Sequence, residues 1–301
     1  MKKRKLKYLK KSASYDIQLK NLRKHGIIIS DETKAKEFLS NVGYYRFGFY
    51  IYPFEESFPA LNSQRKHFVI PGTTFEDIVN FYLFNSELRN ILNKYLSVIE
   101  VAIRTTVVNE ISQKYNNPYW FVDDSIVSLD FKNDFYEKAY KAIKKHEPIK
   151  RHHAKYQGRY APAWKTIEYM TLGNLESLYN SLLKDKDKNL ISYHFGEPAY
   201  ATFSTYLSAL REVRNACAHG NILIGLRLTH GIRKGSVSST FSNNSNQKLS
   251  GALMVIDFML CQISTNLSTQ FNEELRNSIK RVCEKSPKLD FYIFKETGIN
   301  I

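Results

Sequence analysis

A run of apolar residues at helical spacing, starting just after residues 73–76 (Thr-Thr-Phe-Glu), most constrains how this chain can fold. Its members recur every three or four residues, which matches the period of an α-helix, and the preceding Thr and Glu are typical of a helix start. Pro118 marks the limit of the run, because proline cannot continue a helix. The sequence therefore predicts a long central scaffold, as one helix or two. The apolar positions are Ile78, Phe81, Tyr82, Leu88, Ile91, Leu92, Tyr95, Leu96, Ile99 and Ile103.

Most of the remaining chain also carries helical patterns. Further helices are predicted at 16–25, after 30–33, at 132–155 with a loop at Pro148, at 164–183 with a break at Gly173, at 200–219, and at 249–283. Residues 236–247, rich in Ser and Asn, are predicted to form an exposed loop. We expect an all-α helical bundle in one continuous globular unit. Residues 1–72 would form a basic arm, short helices and an aromatic segment packed on a core over 73–301.

The aromatic segment at 43–54 is predicted as an irregular plug or a small hairpin, because Pro53 and the polar residues after it break any long element. Its side chains Tyr44, Tyr45, Phe47 and Phe49 are interpreted as core residues in preference to a platform for stacking bases.

Charge and composition indicate the kind of partner. Among 301 residues, 44 are Lys or Arg and 29 are Asp or Glu, a formal charge of +15 that favours an anionic partner such as nucleic acid or an acidic membrane surface. The basic start at 1–11 lacks a following apolar stretch, so export is not expected, and the apolar run at 253–263 is too short to span a bilayer. The charge indicates only the sign of the partner's charge. We expect no membrane association and a cytoplasmic location. Three scattered cysteines, Cys217, Cys261 and Cys283, favour a reducing compartment with neither a disulfide framework nor a zinc site.

The segment from Arg214 to His219 carries the residues best suited to chemistry. Arg214 supplies a fixed positive charge, His219 can move a proton, and Asn215 lies four residues before His219, on the same face of a helix. The small residues between them leave room for a phosphate. In the alternative interpretation, His219 caps the last turn of a helix that ends at Gly220.

Two other groups remain open. Glu100 and Arg104 are spaced as an intrahelical ion pair, although Glu100 could instead orient Arg211 or Arg214. The second group is a basic run with two interpretations: it contacts RNA phosphates and bases, or it forms a loop exposed to solvent. The RNA-binding candidates are Lys150, Arg151, His152, Tyr156 and Arg211, with Lys155, Arg159 and Tyr160 nearby.

Short motifs follow one another in a fixed order over roughly residues 15–270. They are Gln18-Leu19 with Gly26, Gly43-Tyr44-Tyr45-Arg46, Pro71-Gly72-Thr73-Thr74-Phe75, Leu88-Arg89, Ile99-Glu100-Val101-Ala102-Ile103-Arg104, Pro162-Ala163-Trp164, Gly173-Asn174-Leu175, and Arg214-Asn215 with His219. In this order they resemble the Abi (abortive infection) proteins of bacteria, AbiD/AbiF-like members of the HEPN ribonuclease superfamily.

The resemblance implies a HEPN-type bundle that cleaves RNA without a metal or other cofactor, at a composite site formed by two motif copies. This chain carries one copy, so the second would come from a homodimer. His219 would take the 2′-OH proton or protonate the 5′-oxygen, Arg214 would stabilise the phosphorane charge, and Asn215 would position either. Regulation by an antitoxin protein or a small RNA is also expected. The alternative is a non-catalytic RNA-binding or scaffold protein on the same fold; a DNA-binding regulator is disfavoured, because no clear helix-turn-helix pair stands out.

Overall fold

The computed structural model describes residues 11–59 and 64–300, and over these residues the secondary structure is helical, with β-type pairing confined to isolated bridges. The predicted all-α fold is confirmed. The helices at the start of the chain are α1 (Tyr15–Lys24), α2 (Glu32–Val42), α3 (Tyr44–Ile51) and α4 (Phe75–Tyr115). They are followed by α5 (Leu129–Phe135), α6 (Lys141–Ile143), α7 (Glu147–Lys155), α8 (Ala163–Thr166), α9 (Leu172–Ser181), α10 (Asp185–His194), α11 (Tyr200–Ala218), α12 (Leu249–Ile263), α13 (Thr265–Lys285) and α14 (Asp290–Thr297).

The chain divides into two compact units. The first contains the described residues up to Asn85 together with Ile279–Ile293, and the second contains Ser86–Ser278 with the described residues from Phe294 onwards. The division falls within α4, α13 and α14, and the boundary predicted from the sequence lies at residue 72, before α4 begins.

The long central helix is a single element. α4 spans 41 residues, about 60 Å at 1.5 Å per residue. Of the two predicted alternatives, one long helix or two helices, the structure shows one long helix. Its first turn is closed reciprocally: the Thr74 N–H donates to Asp77 Oδ2 at 2.9 Å, and the Asp77 N–H donates to Thr74 Oγ1 at 3.1 Å. These bonds satisfy two backbone N–H groups that a helix start otherwise leaves to water.

The aromatic segment belongs to the first unit and is helical, so the predicted plug or hairpin is wrong. Residues 44–51 form α3, and Pro53 lies in the short 3-10 turn that follows, where a missing N–H costs nothing. Helical geometry puts only part of the segment inside: Phe47 is fully buried and stacks on Phe75, whereas Tyr45 is 81% exposed. The prediction that all four aromatic side chains are core residues is therefore also wrong, because Phe49 is exposed and Tyr44 is half-buried.

α11 is the core helix of the second unit, where it packs against α9, α10 and α12. Its inward face is apolar at helical spacing, and each large side chain buried there contributes on the order of 1.5–3 kcal/mol. The fully buried residues on this face are Phe203, Tyr206, Leu207, Leu210 and Val213. This packing fixes the direction in which the last turn of α11 points.

Two predicted helix limits in the second unit are wrong. Pro148 was expected in a loop, but it lies in the first turn of α7, where the φ angle of proline suits a helix. The break expected at Gly173 occurs earlier, at Met170 and Thr171, because the Thr171 hydroxyl caps α9 by accepting the Asn174 N–H at 3.2 Å. Of the helices in residues 11–59 and 64–300, none combines the length and apolar character of a membrane span.

Candidate active site

The last turn of α11 ends in a defined capping motif. His219 is the C-cap residue, Gly220 follows with φ +67°, and the Gly220 N–H donates to the Cys217 carbonyl at 3.1 Å. The Asn221 N–H closes the motif on the Ala216 carbonyl at 2.9 Å. Both bonds are those of a Schellman motif, whose left-handed residue is usually glycine. His219 is thus the C-cap of α11 through its backbone, and its imidazole takes no part in the capping bonds.

The side chains of Arg214, Asn215 and His219 all lie at the protein surface. Asn215 and His219 share one face of α11, and the His219 N–H donates to the Asn215 carbonyl at 3.0 Å. Within the described part of the chain, the side chains of Asn215 and His219 make no hydrogen bond, and the Arg214 side chain has a single ion-pair contact. An amide, an imidazole and most of a guanidinium are therefore open to a ligand at one place.

The one ion pair that Arg214 makes with a described residue is with a buried carboxylate. Glu100, on α4, is 7% exposed, and its Oε2 atom lies 3.7 Å from Arg214 Nε. Its Oε1 atom accepts from Arg104 Nη2 at 2.5 Å, and Arg104 also donates to the Met170 carbonyl, from Nη2 at 2.8 Å and from Nε at 3.2 Å. Glu100 therefore makes the intrahelical pair and holds Arg214 as well; the sequence had presented these as alternatives.

Arg211 has a different partner. Its Nε atom forms a close ion pair with Glu176 on α9, and its Nη2 atom donates to Ser208 Oγ at 3.3 Å. Arg211 was predicted to contact RNA, and it was considered as a second partner of Glu100. Within the described residues Arg211 pairs with Glu176 and not with Glu100, one helical turn before Arg214, and its RNA contact stays a prediction.

The sulfur within the motif is not available for chemistry. Cys217 is buried, and burial raises the pKa of its thiol to about 12 although the positive charges of Arg89 and Arg214 act in the opposite direction. A thiol with this pKa stays protonated at neutral pH, and only the thiolate is a good nucleophile. Cys217 is therefore not suited to act as a nucleophile at this surface.

The predicted basic RNA-binding run lies on α7. Lys150 and Arg151 are exposed and pair with Glu147 over 3.9 Å and 3.4 Å, and Tyr156 is 51% exposed. His152 differs from the others, because it is 7% exposed and neither ring nitrogen has a hydrogen-bond partner among residues 11–59 and 64–300. A phosphate cannot reach His152 while α7 is in this position, since the helix turns that ring inward.

The comparison with known families is decisive for this chain. The sequence model described as Abi-like protein matches residues 37–225, more than half of the chain. The chain belongs to the Abi-like protein family. No curated protein and no solved structure matches it. Membership in the Abi-like family suggests a role in abortive infection.

The stretch matched to the Abi-like family contains Glu100 and all three residues of the surface formed by Arg214, Asn215 and His219, which we call the motif surface. It also contains Arg89, whose Nη1 atom donates to the Asn221 carbonyl at 3.3 Å. No sequence signal indicates this contact, because 132 residues separate the two partners. Over the described residues of this Abi-like protein, no group of three or more His, Cys, Asp or Glu side chains is placed to hold a metal ion.

Proposed function

We propose that this chain is an endoribonuclease of abortive infection, of the HEPN type, that cleaves RNA by 2′-OH transesterification without a metal ion. The observation that carries the proposal is the surface at the end of α11, where Arg214, Asn215 and His219 are exposed together while a buried carboxylate holds Arg214. The surface supplies one proton-transfer group and one fixed positive charge for the phosphorane, and the reaction uses both of these functions.

His219 is the acid-base group of the proposed reaction. Its neutral imidazole takes the proton of the 2′-OH, which then attacks the adjacent phosphorus, or its protonated form gives a proton to the departing 5′-oxygen. The bond from phosphorus to the 5′-oxygen breaks, and the products are a 2′,3′-cyclic phosphate and a 5′-OH end. Positioned acid-base catalysis of this kind contributes about 10²–10⁴-fold.

Arg214 is the electrostatic group. Glu100 faces its Nε atom, and the two Nη groups make no hydrogen bond with any described residue, so they are open to the phosphoryl oxygens. Because the position of the guanidinium is set before RNA binds, little reorganisation is needed when charge develops; one such donor is worth about 10²–10³-fold. Asn215, one helical turn from His219, would position either the imidazole or the phosphate.

One copy of the motif supplies one histidine, whereas the reaction uses both an acid and a base. We therefore propose that a homodimer brings two motif surfaces together. The formal charge of +15 supports RNA as the substrate, because it would attract a polyanion over long range. A location in the cytoplasm and control by an antitoxin protein or a small RNA belong to the same proposal.

Incubation with total RNA in EDTA tests the proposal. The wild-type protein should produce 2′,3′-cyclic phosphate ends, and His219→Gln and Arg214→Gln should each lower the rate by about 10²-fold or more. His230→Gln and Arg233→Gln are matched controls, since both residues are exposed in the second unit and lie outside the motif. RNA with a 2′-deoxy nucleotide at the mapped site should resist cleavage. Intact RNA that the protein nevertheless binds would support the RNA-binding alternative.

A further inference from the structure

Arg89 is a basic side chain at the motif surface with no assigned role. It lies on α4, it is half-buried, and its Nη1 atom donates to the Asn221 carbonyl at 3.3 Å. Asn221 is two residues after His219, and its own N–H closes the capping motif at the end of α11. The Arg89 guanidinium is thus tied to the turn that sets the direction of the imidazole.

Arg89, on α4, and Arg214, on α11, both lie near the C-terminal end of α11. Both positive charges act on the thiol of Cys217, which lies three residues after Arg214 and two before His219. Two arginines, one from α4 and one from α11, therefore flank the end of the helix. The positive charge of both arginines favours an anion at this end of the helix.

The other arginines around this surface have their anions in the protein. Glu100 serves Arg104 and Arg214, and Glu176 serves Arg211. Arg89 differs, because in the described parts of the chain no carboxylate lies within ion-pair distance of it and its one hydrogen bond goes to a neutral carbonyl. Its charge is left without compensation beside an exposed histidine, amide and arginine.

We propose that Arg89 is a phosphate-binding residue of this site: one guanidinium nitrogen holds the Asn221 carbonyl, and the others contact a phosphate of the bound RNA strand. The planar guanidinium can do both, since its five N–H groups point in different directions. The proposal rests on the proposed function for the identity of the anion. It adds a second arginine to the site, from a different helix, and couples phosphate binding to the turn that carries His219.

The salt dependence of RNA binding tests this proposal without cleavage. In a His219→Ala background, the affinity for a short single-stranded RNA is measured by fluorescence anisotropy between about 50 and 300 mM salt. Arg89→Gln should weaken binding by about 10-fold and lower the slope of log K against log salt by about 0.7, the value for one phosphate contact on a single strand. Arg89→Lys keeps the charge and should keep the slope.

Arg233→Gln is the matched control for the loss of one positive charge. Arg233 is exposed, and its backbone N–H is bound to Thr205, nine residues and about 14 Å before Arg214 along α11. It should change the slope much less than Arg89→Gln does. If the two substitutions change the slope equally, Arg89 contributes only general charge and the proposal is wrong.

A role of Arg89 in positioning alone is distinguished by the same data. It predicts slower cleavage by the otherwise wild-type Arg89→Gln protein with an unchanged slope, which would overturn the phosphate contact while leaving the nuclease proposal intact. A reduced slope together with uncut RNA would support the phosphate contact and contradict the nuclease proposal. Absence of RNA binding at low salt by the His219→Ala protein would overturn the phosphate contact outright.

Discussion

Glu100 Oε2 lies 3.7 Å from Arg214 Nε, and this carboxylate is buried on one helix while the arginine is exposed on another. The same carboxylate binds Arg104 through its other oxygen at 2.5 Å. A buried ion pair at one end of Glu100 therefore fixes the carboxylate, and the fixed carboxylate in turn restrains a surface arginine. This relationship separates the residues that would touch RNA from those that hold them in place.

Replacement of Glu100 should affect cleavage through Arg214. We expect Glu100→Gln to slow RNA cleavage by about 10-fold or more, since the neutral amide no longer holds the guanidinium for the phosphorane charge. It should also cost about 1.5–3 kcal/mol of stability, because Arg104 loses a charge-assisted hydrogen bond. Glu176→Gln is the matched control: it breaks the comparable pair with Arg211 one turn away. If both variants cleave RNA at the same rate at a temperature where both are folded, Glu100 has no specific role.

The glycine after the motif should be sensitive to substitution. Gly220 has φ +67°, so Gly220→Ala should cost about 1–2 kcal/mol and displace the turn that carries His219. Gly220→Asn should be milder, because asparagine tolerates this conformation better. Thermal denaturation of the three proteins checks the order Gly, Asn, Ala. Equal stability of the alanine and asparagine variants would contradict it.

His152 should make the second unit sensitive to acid. Burial, with smaller contributions from Lys165 and His153, lowers the pKa of His152 below its ordinary value of 6.5. The unfolded chain therefore binds a proton that the folded chain does not, and stability that is complete above pH 6.5 decreases as the pH falls below that value.

Denaturant titrations at a series of pH values measure this effect. The difference in unfolding free energy between about pH 7 and pH 5 should be smaller in His152→Phe than in the wild type. His146→Phe is the control, because the His146 side chain is exposed and stacks on Tyr169. An unchanged pH dependence in His152→Phe would show that His152 does not cause the acid sensitivity.

The three free cysteines should differ in reactivity. Burial raises the pKa to about 12 for Cys217 and to about 11 for Cys283, whereas Cys261 is exposed. At pH near 8 the first two are protonated, so iodoacetamide should label Cys261 first, and peptide mass spectrometry identifies the site. Rapid labelling of Cys217 in the folded protein would mean that the end of α11 opens in solution.

Local patterns in the sequence were sufficient for much of the fold. Helix periods and caps predicted α1, α2, α4 and α11 close to their observed limits, since these signals lie within a few residues of each other. The aromatic segment was mispredicted because so short a run carries too little periodicity to distinguish a helix from a hairpin. The burial of Phe47 against Phe75 decides between them. The same local limitation explains the misplaced loop at Pro148, since a proline signals either the end of a helix or its first turn.

The sequence by itself determined the all-α character of the chain, its positive charge and the spacing of Arg214, Asn215 and His219 on one helix end. The three-dimensional structure was needed to show that Glu100 forms an ion pair with Arg214, that Glu176 forms one with Arg211, and that His152 is buried. The reason is physical. Helix period and capping depend on neighbours along the chain, whereas an ion pair or the burial of a ring depends on which helix faces pack together, and residues far apart in sequence decide that.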